Sequence, residues 1–336
     1  MSRSRTTVLA AALLGILLLA VSGVGGASVL DVYSIWPESF CTPMFQEFTA
    51  KTGIKINFVR HSSGEVLARI IAEKDNPRVG MVFGGPADTF AAAIDEGVLE
   101  PYIPAGVRAI PEKYRHPKGY YTGIALNPIV FLSNRSFLAD NKLKAPSSWN
   151  DLLNPAYRQQ LQMADARTSG TGVNRIISTI FAMGSEDAAY KYMKELDKQV
   201  QVYTKSGGGG TVPVGTRQAG SGVFFLVDCI LTQQKGYDVA ITFPKEGSAV
   251  ALEACALIKG GKNHDLAKKF MDWLVTAEAQ SLYAKHGIGF MPTNPDAKVS
   301  ELIDVKGANF IDVDLQWAAD NRQRLIDRWV TEVLGQ

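Results

Sequence analysis

Four short stretches of the 336-residue chain join hydroxyl side chains or proline to glycines where strand-like sequence gives way to helix-like sequence. They are Ser62-Ser63-Gly64, Gly84-Gly85-Pro86, Thr168-Ser169-Gly170-Thr171 and Ser206-Gly207-Gly208. The first turn of a helix carries N–H groups without carbonyl partners and a partial positive charge, and Ser or Thr hydroxyls add further donors. Several such ends converging on one cleft bind an anion without a lysine. Ordinary helix capping uses the same residue types, so no single turn decides the matter; the recurrence does. The candidate anion ligands are Ser62, Ser63, Gly85, Thr168, Ser169, Gly170, Thr171 and Ser206.

Catalytic patterns are poor by comparison. The sequence contains no G-x-S-x-G elbow, no H-E-x-x-H and no G-x-x-x-x-G-K-[ST], and the glycines of SGTG lack the lysine of a phosphate-transfer loop. His61, His116, His264 and His286 are scattered. The chain therefore reads as a binder without cofactor or metal, and not as an enzyme; a secreted hydrolase using Ser169 or Ser206 with His61 is the reading from another class. Cys41, Cys229 and Cys255 show neither C-x-x-C spacing nor a neighbouring histidine, which argues against zinc. A Cys229–Cys255 bridge stays open.

The elements that must position these turns alternate between strand and helix. VLDVYSIW reads as a strand, with Trp36 at its carboxyl end, where a cleft ligand would stack on the ring or place an ammonium against it. A helix follows from Pro37-Glu38, with Phe40, Met44, Phe45 and Phe48 on one face and Gly53 as its stop. GIKINFVRH is the next strand, and SSGEVLARIIAEK a helix in which Ser62 and Glu65 have capping-box spacing. VGMVFGG then turns through Gly84 and Gly85 into a helix with Pro86 as its first residue, ending at Gly97.

From about Pro128 a second unit of the same kind reads IVFLSN, a capped SSWNDLLNP helix, LQMADA and a helix from Gly172 to Met183. VQVYTKS, GVFFLVDCIL, YDVAITFP and EACALIKGG follow as strands, and one amphipathic helix spans Asp265 to about Lys285. Repeated β-α units imply parallel sheets flanked by helices, with ligands at the carboxyl ends of the strands. No Pro/Ser-rich linker separates the two units, which suggests domains joined by passing strands.

At the amino end, Arg3 and Arg5 precede an apolar run from Val8 to Val21 and small residues to Ala27. A membrane span needs about 20 apolar residues, so residues 1–27 are expected to be a cleaved secretory signal. Its removal takes Arg3 and Arg5 with it, and the formal net charge falls from +2 to 0. That balance points to neither nucleic acid nor an anionic membrane. With 46% hydrophobic and 20% charged residues, the chain has material for two globular domains.

The order and spacing of TGIK, SSGEVLARI, FGGPADTF, GYYTGIALNP, SWNDLLNPAY, TSGTG, YTKSG, FPKEG and ALIKGGKNHDLAKKFMDWLVTAEAQ resemble the extracellular solute-binding proteins of ABC importers. Within them the likeness is to the group that binds ferric ion, 2-aminoethylphosphonate and hexose phosphates, and it runs from about Val29 to beyond Gln280. The resemblance implies an α/β, two-lobed periplasmic binding-protein fold of type II, each lobe a mainly parallel sheet. One lobe would be 28–126 plus 252–288 and the other 127–251 plus 289–336. It implies an exported monomer that closes on its ligand by a hinge, docks on a permease with an ATPase subunit, and meets the membrane only through that permease.

For the ligand, the resemblance implies a small anionic solute, an organophosphate or phosphonate. Ser63, Ser169, Gly170 and Thr171 match the anion-contacting turns, and Asp228 matches an acidic position on a late strand; the other reading of Asp228 is the N-cap of a helix opening at DCILTQQ. Glu253 stands two residues from Ala251, where an acid occurs in phosphosugar-binding members. The alternative is ferric ion, but Gly222–Asp228 holds no tyrosine where iron-binding members have adjacent ones, and Tyr120-Tyr121 reads as structural.

Overall fold

Alternating residues in VLDVYS place Leu30 and Val32 inside, and this stretch forms β1 (Val29–Ser34) of a computed structural model that describes residues 28–336. The expected signal segment, residues 1–27, lies outside the described residues. Pro37 turns the chain into α1 (Glu38–Thr52), which buries Phe40, Met44, Phe45 and Phe48 and ends at Gly53 with φ +74°, a left-handed conformation that glycine adopts without a Cβ penalty. β2 (Lys55–Arg60) runs parallel to β1 from the Val29–Lys55 pair onward. α2 (Ser63–Ala72) starts from the Ser62/Glu65 capping box, in which the Ser62 N–H donates to Glu65 Oε2 at 3.0 Å. β3 (Met81–Pro86) is buried along its whole length and leads to α3 (Ala87–Asp95). Pro86 ends the strand as the N-cap of α3 and is not the helix's first residue.

After the short β4 (Leu99–Glu100), β5 (Thr122–Asn134) covers thirteen residues, beginning well before the strand expected from Pro128. α4 (Arg135–Asp140) follows, and SSWNDLLNP forms 3-10 turns capped by Ser148. Next come β6 (Leu161–Ala164), α5 (Gly170–Met183), α6 (Glu186–Asp197), β7 (Val200–Thr204) and α7 (Thr211–Gly215).

GVFFLVDCIL, expected as one strand, divides into β8 (Ser221–Phe225) and α8 (Leu226–Gln234). A short apolar run does not distinguish a buried strand from a buried helix; here pairing with β5 ends at Ile129–Phe225, and the unpaired backbone closes its hydrogen bonds within a helix. β9 (Val239–Thr242) and β10 (Ser248–Ile258) follow. The single helix expected from Asp265 to Lys285 is two, α9 (His264–Leu274) and α10 (Ala277–Lys285), because the Thr276 hydroxyl caps the second by accepting the Ala279 N–H at 3.1 Å. β11 (Met291–Pro292), β12 (Phe310–Ile311) and α11 (Leu315–Glu332) complete the chain.

The strands lie in the order β2-β1-β3-β10-β5-β8-β6-β7. β1–β3 pair parallel at one end and β6–β8 at the other, giving each lobe the expected parallel set. The sheet as a whole is mixed, because β10 runs antiparallel to β3, β5 antiparallel to β8, and the two antiparallel to each other. These two long strands carry the chain between the lobes, as the missing linker suggested. Cys41, Cys229 and Cys255 are buried and free, so no Cys229–Cys255 bridge forms. Trp149, Trp273 and Trp329 are core residues, and Trp317 packs against that core.

Candidate functional site

The strand-to-helix turns of both lobes meet at a chamber of about 60 Å³, room for roughly four to six water-sized groups. One side is a bed of hydrogen-bond donors. Ser63 opens α2, and its Oγ accepts the Gly170 N–H of the opposite lobe at 2.6 Å. Ser169 caps α5 and accepts the Thr171 N–H at 3.2 Å. Because each Oγ is already an acceptor, its own proton remains free to be donated. The Thr171 hydroxyl joins them, packed so closely that a Cβ on Gly207 would stand 2.2 Å from Thr171 Oγ1. A Cβ on Gly208 would stand 2.5 Å from Asp228 Oδ1. Only glycine lets this loop reach the chamber, and the Gly207 and Gly208 amides donate to no backbone carbonyl among the described residues.

Arg60, the last residue of β2, supplies the positive charge. Its Nη1 lies 3.4 Å from Ser62 Oγ and its buried Nε has no partner among the described residues. Burial lowers its pKa, and the facing Asp228 and Glu65 raise it.

The opposite side is acidic and aromatic. Glu253, 2% exposed, stands where the register of β10 shifts against both β3 and β5; such a bulge re-aims a side chain. Its Oε2 accepts Trp36 Nε1–H and the Gly85 N–H, each at 2.8 Å, and its Oε1 accepts Asn127 Nδ2–H at 3.3 Å. Burial pushes its pKa up to about 7 against these three donors, and Asp228 adds to the rise. Gly84 and Gly85 have φ of +74° and +94°, and a side chain on either would strike Trp36 or Ile35.

Asp228 lies in the first turn of α8, not on the expected late strand, and Phe225 rather than Asp228 is the N-cap. Burial pushes it up to about 7, Arg60 and Lys235 pull it down, and no donor reaches its carboxylate among the described residues. Between the two carboxylates and the aromatic floor, Trp36 stacks on Phe290 with ring centres 4.1 Å apart.

Of the residues singled out in the sequence, Trp36, Ser62, Ser63, Gly85, Ser169, Gly170, Thr171, Asp228 and Glu253 line this one chamber. Thr168 and Ser206 do not. The Thr168 hydroxyl donates to the Lys205 carbonyl at 2.8 Å, and Ser206 faces a neighbouring surface hollow. Arg60, Asn127 and Phe290 went unmarked in the sequence. The position of Arg60 at the carboxyl end of a strand, two residues before the Ser62 turn, was the available signal for it.

His61 bonds Arg69 Nη1 at 3.0 Å and stands edge-on to Tyr33; no hydrogen bond joins it to Ser169 or Ser206. Tyr121 packs against Phe90 away from the chamber. Among the described residues no group of three His, Cys, Asp or Glu is placed to share a metal, and no helix is long and apolar enough to cross a membrane.

The chain and its fold have counterparts among known proteins. An uncharacterized protein of Haemophilus influenzae is 34% identical over 325 residues, 94% of each chain. The periplasmic binding protein AfuA of Actinobacillus pleuropneumoniae, solved with exogenous fructose-6-phosphate bound, is 30% identical, with a TM-score of 0.87 over 91% of this chain and 99% of that one. A Salmonella typhi periplasmic protein, provisionally named for 2-aminoethylphosphonate binding, is 26% identical over 300 residues, 86% of each chain. The family model described as bacterial extracellular solute-binding protein matches residues 77–316. The chain, with its two-lobed fold and its chamber between the lobes, belongs to the bacterial extracellular solute-binding proteins, the substrate-capturing components of ABC importers.

Proposed function

We propose that this protein captures a small organophosphate or phosphonate from outside the cytoplasm and hands it to an ABC permease. The lobes would be 28–126 plus 252–288 and 127–251 plus 289–336, closing as a monomer about β5 and β10. One observation carries the ligand class. Hydroxyls from both lobes, those of Ser63 and of Ser169 and Thr171 at the N-termini of α2 and α5, converge with the Arg60 cation on a space sized for a phosphoryl group and a short skeleton. Helix N-termini and a guanidinium are complementary to a dianionic phosphoryl group. At the other end, the unpartnered Asp228 carboxylate suits a hydroxyl or ammonium on the ligand.

The iron reading has less support, since the Gly222–Asp228 stretch brings Phe225 and no tyrosine to the chamber and aromatic hydrocarbon does not coordinate a hard cation. Nor do we assign hydrolysis: the hydroxyls of Ser63 and Ser169 serve as caps, and His61 is engaged with Arg69.

Thermal denaturation against a ligand panel tests this reading. At a hundredfold excess over Kd a ligand stabilises by about 2.7 kcal/mol, so 2-aminoethylphosphonate, fructose 6-phosphate or another phosphorylated metabolite should raise the melting temperature while ferric citrate does not. A visible charge-transfer band on iron loading, or release of inorganic phosphate from any panel member, would overturn it.

A further inference from the structure

A second lobe-to-lobe contact lies outside the chamber, on the flank covered by the last helix. α11 packs along α3 more extensively than along any other helix, and its opposite face is fastened to the lobe of β6–β8 by side-chain anchors. Its Trp329 and Leu325 are fully buried, Tyr190 of α6 donates its hydroxyl to the Leu325 carbonyl at 2.6 Å, and Arg324 and Arg328 pair with Glu186 and Asp187 at 2.7 and 2.6 Å. The other face of α11 meets α3, which belongs to the lobe of β1–β3. There Arg322 Nε donates to Asp88 Oδ2 at 2.9 Å, both side chains being 5% exposed. Asn174 of α5 also reaches the Asp88 carboxyl, and Arg322 Nη2 is buried with no partner among the described residues.

Asp88 lies in the first turn of α3, two residues beyond the Pro86 that lines the chamber, and Asn174 lies in the second turn of α5, whose cap is Ser169. The ion pair therefore ties α3 to α11 at the flank, and Asn174 brings α5, one of the helices that aim the donors, to the same carboxyl.

We propose that Asp88 and Arg322 are positioning residues for ligand capture: an ion pair formed on lobe closure that sets how long the closed state lasts, whichever ligand is inside. This rests on the two-lobe reading above. When the lobes part, both groups return to water. When they close, both are desolvated together, which is tolerable only as a pair. Removing one partner leaves a lone buried charge in the closed state and costs the open state nothing. Truncating one member of a buried charge pair acts chiefly on dissociation.

The test uses Arg322→Met, Asp88→Leu and the double Asp88→Leu/Arg322→Met in the mature chain. Small-angle X-ray scattering without ligand reads the opening, and release rates of 2-aminoethylphosphonate and fructose 6-phosphate read the closed-state lifetime. Each single variant should show a larger radius of gyration than the native protein, an unchanged ligand-free melting temperature, and release faster by about tenfold or more. The double variant, with an apolar pair in place of the ions, should return towards native dimensions and release. Single variants that melt lower at native dimensions would place the pair inside one rigid body and overturn the proposal. Single variants indistinguishable from native by scattering would overturn it as well. Failure of both probes to bind the native protein would count against the ligand class alone, because the scattering comparison still decides the role of the pair.

Discussion

Among the described residues Arg60 is the one cation lining the chamber, and its role can be separated from those of the hydroxyls. A hydrogen bond to a charged group contributes about 1.5–3 kcal/mol, so Arg60→Met should weaken phosphoryl-ligand binding by about ten- to a hundredfold in isothermal titration, with little change in ligand-free melting.

Asp228 gives a pH-dependent prediction. The fold holds its proton up to about pH 7, against an ordinary value of 3.8, so between those values the folded state carries more protons than the unfolded chain and stability falls as pH rises. His61 and His116, whose pKa values burial lowers, act in the opposite sense. The readout is therefore the difference between variants: ligand-free Asp228→Asn should gain in melting temperature relative to native between pH 5 and pH 8. Parallel curves would contradict an unpartnered, half-buried carboxylate. The residues that were legible in the sequence owe this to local chemistry: Ser63, Ser169 and Gly170 cap or open helices, and a cap is visible in four consecutive letters. Thr168 has the same letters, but its hydroxyl is spent on Lys205, a partner 37 positions away that no local pattern reveals. Arg60 was missed for the same reason, because a single arginine at a strand end acquires meaning only from the turns that fold against it.

At the level of elements, α2 and α5 aim the donors, and their amino ends must hold their shape for the site to exist. Ser62→Ala removes a capping-box hydroxyl at a cost of about 1 kcal/mol, and denaturant unfolding should show this loss. Since Ser62 also contacts Arg60, ligand affinity should fall with it; unchanged stability would mean that Glu65 alone secures the turn. Helix α1, the Ser62/Glu65 box and the stop at Gly53 were legible, because apolar periodicity, caps and a left-handed glycine are local features. A helix opening at Asp228 was one reading of DCILTQQ, but the actual division of GVFFLVDCIL, after Phe225, was not legible. Where β8 becomes α8 depends on how far β5 extends beside it, a long-range fact. The split at Thr276 was accessible as a possible cap, but the apolar stripe running through it masked the break.

At the scale of the molecule, strand-helix alternation without a linker was enough to suggest two domains sharing strands, and β5 and β10 are those strands. Their antiparallel course was hidden, because a strand buried on both faces carries no mark of its neighbour's direction. In the described state the lobes touch directly over the chamber mouth: the Gly64 N–H donates to the Thr168 carbonyl at 3.2 Å, and Lys205 pairs with Glu65 at 2.5 Å. The Lys205–Glu65 pair is largely exposed on the lysine side, and such pairs contribute about 0–1 kcal/mol. Lys205→Ala should therefore change ligand affinity by less than about tenfold, which separates this outer contact from the buried pair at the flank.

The most direct measurement is a crystal structure of the mature protein with a bound phosphonate or organophosphate from the panel. The phosphoryl oxygens should lie at hydrogen-bond distance, about 2.7–3.2 Å, from Ser63 on one lobe, from Ser169 or Thr171 on the other, and from the Arg60 guanidinium. A phosphoryl group held by one lobe alone, or lodged against Asp228 and Glu253 away from these donors, would contradict it.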